Sequence, residues 1–176
     1  MKVKLIINNE EEQDRLYSDY IKEHVANVRK ACNLYSDLIL ESLSIMELKD
    51  ELLNRVNNHD KSKWSEEEFK PYAQYFYPIE GEEPNIEIFN KAWQHHYKNN
   101  DHHPEHYHQD NKESIAMTDI AIAEMLLDWI AMTFKFKTPM KKWYRDNKEE
   151  LNFNSETLMK VDSIMNNDWI DKVTYN

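Results

Sequence analysis

Glycine is almost absent from this sequence, since Gly81 is the single glycine among 176 residues. A Rossmann dinucleotide-binding turn needs three glycines and a P-loop needs at least two, because the backbone must approach phosphate without an intervening Cβ. The G-x-S-x-G turn of serine hydrolases is excluded for the same reason. A chain this poor in glycine and rich in Leu, Glu, Lys and Asn favours an all-α fold.

Cysteine, net positive charge and long apolar runs are also scarce. Cys32 is the single cysteine, so no internal disulfide can form, which favours a reducing compartment. The formal net charge of −11 argues against binding to nucleic-acid duplexes, which depends on clustered Lys and Arg. No stretch approaches the roughly 18 apolar residues of a membrane span, and the apolar patch at residues 3–7 is too short for a signal peptide. We therefore expect a cytoplasmic protein (in the host cytoplasm if phage-encoded) without a membrane partner, and the sequence leaves its oligomeric state open.

Apolar residues recur at three- and four-residue steps in the first half of the chain, which predicts amphipathic helices. The first of these helices is predicted from Glu11 to about Ile39. The pairs Ser44 with Glu47 and Ser65 with Glu68 match the capping box. They predict where the second and third helices begin.

The second half of the chain predicts four further helices, at residues 85–99, at residues 113–134, from Pro139 and from Ser155. The helix at residues 113–134 is nearly apolar all round, so we expect it at the centre of the fold. The sequence thus predicts one all-α domain over residues 1–176, a bundle of six or seven helices. Its core would span about residues 11–134, with the C-terminal helices at 139–176 packed on it.

Histidines are concentrated in one segment, because six of the eight lie between His95 and His108, in WQHHYKNNDHHPEHYHQD. Histidine is the commonest metal ligand, since neutral imidazole offers a nitrogen lone pair near physiological pH. The segment therefore indicates a metal site. A solvated histidine-rich loop that binds metal adventitiously is the alternative, and the segment alone leaves both open.

His59-Asp60 is a second group of this kind, placed where an amphipathic helix ends in a polar turn. That boundary is a favourable place for side chains to converge on an ion. His24 lies on the predicted first helix between apolar residues, so it faces inward or borders the core. It could be a metal ligand or a histidine satisfied by a backbone carbonyl.

Asp128 lies in the apolar run EMLLDWIAM. A carboxylate in such surroundings costs several kcal/mol unless it is paired or bound to a cation. Asp119 and Glu124 are alternatives for the same role. An exposed position on the helix surface is the other interpretation.

In chain order these residues are His24, His59-Asp60, the pair 95–96, the pair 102–103 and Asp128. This order resembles the HD-domain superfamily of metal-dependent phosphohydrolases, and the resemblance covers about residues 20–132. The run HDKSK at 59–63 is similar to the HDxxK form of the central motif. The extra histidine pairs resemble superfamily members with two metal ions, such as cyclic-dinucleotide phosphodiesterases and the di-iron inositol oxygenase. The chain is also similar to a small family of phages and bacteria that has an HD-x-SK turn and an HHPE segment.

The resemblance implies a metal site in which Asp60 bridges if two ions are bound, and one histidine of each pair completes the second site. Helical spacing favours the second histidine of the 95–96 pair, and we prefer the first of the 102–103 pair. The predicted metal ligands are His24, His59, Asp60, His96, His102 and Asp128.

The remaining predicted roles concern catalysis and substrate. Asp60 and Lys63 are the predicted catalytic residues. Lys63 would also contact a phosphate as a point charge, or else be a solvated turn lysine. His95 and His103 would then point towards the substrate.

An imidazole and carboxylate ligand set suits a divalent transition metal, one or two ions of Mn, Fe, Co, Ni or Zn, better than Mg or Ca. The resemblance implies hydrolysis of a phosphoester by metal-activated water, with a small phosphorylated substrate, a nucleotide or a small nucleotide signal. The alternatives are a metal-containing nucleotide- or protein-binding factor without turnover and a di-iron oxygenase on the same scaffold. A further alternative is a helical interaction module with an incidental histidine-rich loop.

Overall fold

The computed structural model describes residues 7–109 and 114–173. These residues form seven α-helices and no β-strand, so the predicted all-α fold with six or seven helices is confirmed. The helices are α1 (Glu10–Leu43), α2 (Lys49–Asn58), α3 (Phe69–Phe76), α4 (Ile86–Asn99), α5 (Asp119–Phe136), α6 (Met140–Asn147) and α7 (Ser155–Met165). Short 3₁₀ turns occupy Met46–Leu48, Lys61–Trp64, Pro104–Tyr107 and Ile170–Lys172.

Side-chain caps fix the beginnings of two helices close to their predicted positions. Asn85 precedes α4, and its side chain accepts a hydrogen bond from the Ile88 amide at 3.0 Å. Asn154 precedes α7 and accepts from the Glu156 amide at 2.9 Å. Such caps accept hydrogen bonds from backbone amides that have no partner within the helix. The position of the capping residue therefore determines where the helix begins.

The two capping boxes predicted from sequence are wrong. Ser44 has a positive φ of 59° and caps no helix, and α2 begins only at Lys49, after a 3₁₀ turn. Glu68 does precede α3, but its side chain makes no capping hydrogen bond. A capping box needs an extended residue at the cap, which Ser44 is not, and a free Glu side chain, which Glu68 does not have because it is engaged elsewhere.

The central helix begins later than predicted. Its predicted start at Glu113 lies outside the described residues, and residues 114–118 are non-helical. The backbone of this segment pairs elsewhere, since the Met117 amide donates to Thr157 Oγ1 at 2.9 Å. Thr118 then caps α5 by accepting from the Ala121 amide.

The chain forms two compact units. Unit 1 consists of residues 1–23 and 60–100, and unit 2 of residues 24–59 and 101–176. Helix α1 contributes residues to both units. The single domain predicted over residues 1–176 stays a prediction.

Unit 2 is built around α5, of whose 18 residues 12 are buried. Ile122, Leu126 and Ile130 on this helix are fully buried, as expected for a helix that is apolar on every side. The prediction that this helix is central holds within unit 2. Side chains of α6 and α7 belong to the same buried cluster, among them Tyr144 and Val161.

Unit 1 pairs the start of α1 with α3 and α4 through aromatic side chains. The Tyr17 ring packs against Tyr72 at 6.0 Å between centroids, and Tyr72 packs edge-on against Phe89 at 5.6 Å. The Gln13 side-chain amide donates to the Tyr77 carbonyl at 2.8 Å, which ties α1 to the end of α3. Aromatic contacts thus join the three helices of unit 1, beside buried aliphatic residues such as Ile21 and Ala73.

Among the described residues, no helix combines the length and the apolar composition that a bilayer crossing needs.

Leu126→Ala should destabilise the protein strongly, because Leu126 is fully buried on α5. We expect a loss of about 2–5 kcal/mol in the free energy of unfolding, measured by urea denaturation. Leu34→Ala is the matched control, since Leu34 is 55% exposed and should change stability by about 0.5 kcal/mol or less. Equal effects of the two substitutions would contradict the central position of α5.

Candidate metal centre

Unit 2 collects four of the predicted metal ligands from separate elements. His24 comes from α1, His59 ends α2, and His102 lies in the turn before Pro104. Asp128 lies on α5 one turn after Glu124, so the two carboxylates share one face of that helix. Polar side chains from four separate segments therefore lie within the otherwise apolar core of unit 2.

The imidazoles of this group are buried and lie in contact. His24 Nε2 and His59 Nε2 are 3.2 Å apart, and His24 Nε2 lies 3.3 Å from Asp128 Oδ1. The rings of His59 and His102 have centroids 4.5 Å apart. His24, His59 and His102 are at most 4% exposed, so water does not hydrate these rings freely.

Glu124 is the carboxylate around which the histidines are arranged. Its Oε1 lies 2.8 Å from His59 Nδ1 and 3.5 Å from His102 Nδ1. Burial alone would raise the pKa of Glu124, but the hydrogen bond with His59 and the electrostatic interactions with His102, His59 and Arg55 outweigh it and hold the pKa below its usual range. Glu124 is therefore an anion at neutral pH.

The bond to Glu124 sets the orientation of His59. When Nδ1 donates to a carboxylate, Nε2 keeps a lone pair, which is the arrangement commonly found for metal-bound histidines. Two ligands on a tetrahedral ion with bonds of about 2.0–2.1 Å lie roughly 3.3 Å apart. The 3.2 Å between His24 Nε2 and His59 Nε2 matches that spacing.

A second arrangement uses Glu124 as a ligand itself. One ligand atom from each of His59, His102 and Glu124 lies within 4.8 Å of the others, and all three residues are buried. The donor set of two imidazoles and a carboxylate suits a transition metal. The residues of unit 2 could thus hold a divalent ion, with Glu124 either binding it or orienting His59.

The acidic alternatives on α5 differ in their environments. Asp128 Oδ1 is buried, lies 3.3 Å from His24 Nε2 and accepts no hydrogen bond from the described residues, so it is available to bind a cation. Asp119 instead pairs with Lys160 at 2.8 Å, away from the histidines. Both Glu124 and Asp128 therefore lie beside histidines, although the sequence suggested them as alternatives for a single carboxylate ligand.

Arg55 and Asp101 are neighbours of this group that sequence reasoning missed. Arg55 Nε donates to Glu124 Oε2 at 2.7 Å, and its guanidinium also pairs with Asp101. The arginine neutralises Glu124 on the side opposite to the histidine contact. A lone arginine in the polar stretch after Leu52 and Leu53 carries no motif, so only the tertiary contact reveals it.

Unit 1 holds the other predicted residues, beginning with Asp60. Asp60 is 1% exposed and has φ 57°, a left-handed conformation that Asp and Asn adopt more often than most other non-glycine residues. Lys63 Nζ donates to Asp60 Oδ2 at 2.5 Å, within the same 3₁₀ turn. His96 Nε2 lies 3.3 Å from Asp60 Oδ1. The three residues thus form one chain of contacts.

Glu68 completes this chain and was missed as a functional residue, since its position suggested a helix cap. It is fully buried, and its two oxygens lie 2.7 Å from His95 Nδ1 and 2.8 Å from His96 Nδ1. Burial alone would raise the pKa of Glu68, but the hydrogen bonds from His96 and His95 outweigh it and lower the pKa. The adjacent histidines of the 95–96 pair were the feature that could have predicted a shared carboxylate.

His96 has a carboxylate at each ring nitrogen. Burial alone would lower its pKa, but hydrogen bonds to Asp60 and Glu68 outweigh it and raise the pKa. A metal bound at His96 Nε2 would have to displace a proton, so its affinity would depend on pH. The predicted role of His96 as a ligand stays a prediction.

The remaining histidines differ in exposure. His103 is half-buried, and its ring lies 4.3 Å from that of His102, so it belongs to the unit 2 group. His95 is half-buried and belongs to unit 1. His106 and His108 are exposed. The roles predicted for His95, His103 and Lys63 towards a substrate stay predictions.

Glu124→Gln should destabilise unit 2, because it removes the charge that Arg55 and His59 contact. Removing one partner of a buried ion pair costs about 3–5 kcal/mol. The isosteric amide should keep part of the hydrogen bonding, so we expect the free energy of unfolding in urea, with EDTA present, to fall by about 2 kcal/mol or more. Glu156→Gln is the control, because Glu156 forms an exposed pair with Lys160 and should have an effect below about 1 kcal/mol. Similar losses for both variants would show that Glu124 does not organise the group.

Comparison with known proteins gives a family. The model of a family described as a family of unknown function, DUF5662, matches residues 13–169, most of the chain. No curated protein and no solved structure matched. The chain therefore belongs to the DUF5662 family, whose function is unknown.

Proposed function

We propose that this protein is a metal-dependent phosphohydrolase that cleaves a phosphoester of a nucleotide or small nucleotide signal. The proposal rests on one observation above all. Three buried histidines of unit 2 surround the α5 carboxylates, and those histidines and Asp128 occupy the order that resembles the HD-domain superfamily. Burial of several imidazoles is costly unless they are bonded, and a cation would satisfy them together.

The ligands proposed in unit 2 are His24, His59, His102 and Asp128. Their support is the spacing of the His24 and His59 nitrogens and the buried Asp128 Oδ1 that accepts no hydrogen bond from the described residues. When bound, a divalent metal would lower the pKa of a water and polarise a phosphoryl oxygen. Glu124 and Arg55 would hold the histidines in place rather than touch the substrate.

The ligand and catalytic roles proposed for Asp60 come from the sequence order, in which it directly follows His59. Its hydrogen bond from Lys63 holds the Asp60 side chain in one orientation, as a ligand or catalytic group requires. Lys63 would neutralise charge beside the phosphate. The His59-Asp60 pair is thus the part of the chain most directly testable by substitution.

Purified protein should contain bound Mn, Fe, Co, Ni or Zn, and His59→Ala should reduce that content at least roughly tenfold, because removing a ligand weakens a site more than removing its supporting groups does. The measurement is elemental analysis of protein prepared without chelator. His106→Ala is the control, since His106 is exposed, and it should leave the metal content unchanged. Equal metal in wild type and His59→Ala would overturn the proposed centre.

Asp60→Asn should lower phosphoester hydrolysis by roughly a hundredfold or more, because it removes a charge from the predicted metal site while asparagine tolerates the left-handed backbone. The assay is turnover of bis(p-nitrophenyl) phosphate and a nucleotide panel with Mn, Fe, Co, Ni, Zn or Mg. Asp162→Asn, at a half-buried aspartate of α7 that pairs with Lys148, is the matched control and should retain activity.

The same assay separates the alternatives. Bound metal and tight nucleotide binding without product would favour a binding factor and contradict hydrolysis. Two irons per chain with oxygen consumption would favour the di-iron oxygenase. A metal-free protein whose melting temperature does not respond to Mn or Zn would favour an interaction module.

A further inference from the structure

Unit 1 contains a cavity of about 350 Å³ that the metal ligands proposed above do not explain. Its wall is almost entirely aromatic and is formed by Tyr17, Tyr20, Tyr72, Phe76, Phe89 and Trp93. Lys63 is its other lining residue. A cavity of roughly 150 Å³ lined by apolar side chains is already large enough for benzene, so this one has room for a bicyclic ring.

The rings of the aromatic wall pack on one another, and one side of the wall is open to solvent. Tyr72 and Phe76 are nearly parallel, at 6.0 Å between centroids, and Tyr20 and Phe76 are also nearly parallel, at 6.5 Å. Phe76 is 53% exposed, so one side of the wall is open to solvent. Aromatic faces that remain accessible at a cavity rim are the surfaces on which nucleobases and similar rings stack.

Tyr72 adds a polar feature to this wall. The residue is 3% exposed, and its buried hydroxyl has no hydrogen-bond partner among the described residues. Buried hydroxyls without a partner are rare in folded proteins, because they lose their bonds to water. A phenol keeps its proton at neutral pH, so this hydroxyl can donate a hydrogen bond.

The charge of the wall selects against an isolated ion. Lys63 Nζ is bonded to Asp60 Oδ2 at 2.5 Å, so the cation at the cavity is already matched by an anion. The other lining residues are uncharged. The aromatic side chains therefore suit an uncharged ring with a hydrogen-bond acceptor, and Lys63 stays the residue proposed to lie beside the phosphate of the same substrate.

We propose that this cavity binds the planar heteroaromatic ring of a nucleobase, stacked on the aromatic wall and hydrogen-bonded through an acceptor atom to the Tyr72 hydroxyl. The proposal deepens the proposed function, since the ring would belong to its phosphorylated substrate. It assigns recognition of the ring to unit 1 residues that are not among the proposed metal ligands. Tyr72 would then be a specificity residue rather than a catalytic one.

The test measures nucleoside binding in EDTA, so that neither metal nor hydrolysis enters. Adenosine, guanosine, cytidine and uridine are titrated by calorimetry into the full chain, with ribose 5-phosphate as the ring-free probe. We expect at least one nucleoside to bind, and Tyr72→Phe and Phe76→Ala each to weaken it roughly tenfold, the loss typical of one stacking or hydrogen-bonding contact. Ribose 5-phosphate should bind wild type and both variants alike.

Matched controls distinguish the loss of a contact with the nucleoside from the loss of the fold. Tyr144→Phe removes a hydroxyl from an equally buried tyrosine of unit 2, and Phe136→Ala removes a comparably exposed ring there. Both should bind the nucleoside as wild type does, and a melting curve of each variant verifies its fold. If Tyr72→Phe is unstable, nucleoside binding to Phe76→Ala still tests the proposal, because Phe76 is 53% exposed and its loss should disturb the fold less.

The outcomes separate this proposal from the proposed function. Binding of none of the four nucleosides, or equal binding to wild type, Tyr72→Phe and Phe76→Ala, would overturn the ring site even if the protein hydrolyses phosphoesters. Nucleoside binding that both variants weaken, in a protein without metal or hydrolysis, would support the ring site and overturn the hydrolase.

Discussion

The pairing of the buried Glu124 carboxylate with its polar neighbours is the interaction on which unit 2 depends. A charge in the middle of an apolar helix is tolerated only if it is paired, and Glu124 is paired twice, by Arg55 on one side and by His59 on the other. The helix around it supplies the apolar core, so one position of α5 serves both packing and polar organisation. Removing this carboxylate would leave an arginine and a histidine buried without their common partner.

Unit 1 applies the same physical solution with other residues. The fully buried Glu68 accepts from both histidines of the 95–96 pair, and His96 in turn contacts Asp60. In each unit an anion orders imidazoles that would otherwise be costly to bury. His59 and Asp60 are consecutive yet fall in different units, so their common role in the proposed function is inferred from the HD-like order of the sequence.

At Glu68 and before α5, the differences between the predicted and observed helix starts have a common cause. Local rules find a helix start well when the capping side chain has no competing partner, as with Asn85 before α4. They fail at Glu68, because two histidines distant in sequence compete for its carboxylate. They also fail before α5, where residues 114–118 form bonds to the loop before α7 and to α7 itself rather than extending the helix. Long-range bonds are invisible to a rule that compares neighbours.

The sequence by itself determined the all-α class, the apolar α5 and most of the residues grouped at the two polar clusters. Periodicity and glycine scarcity constrain helices directly, and the rarity of histidine makes a concentration of it informative. Only the tertiary structure decided that Arg55, Glu68 and Glu124 are the partners of those histidines, and that Tyr72 lines an aromatic cavity. Partner choice depends on distances between segments far apart in the chain, and such distances are fixed by packing rather than by local sequence.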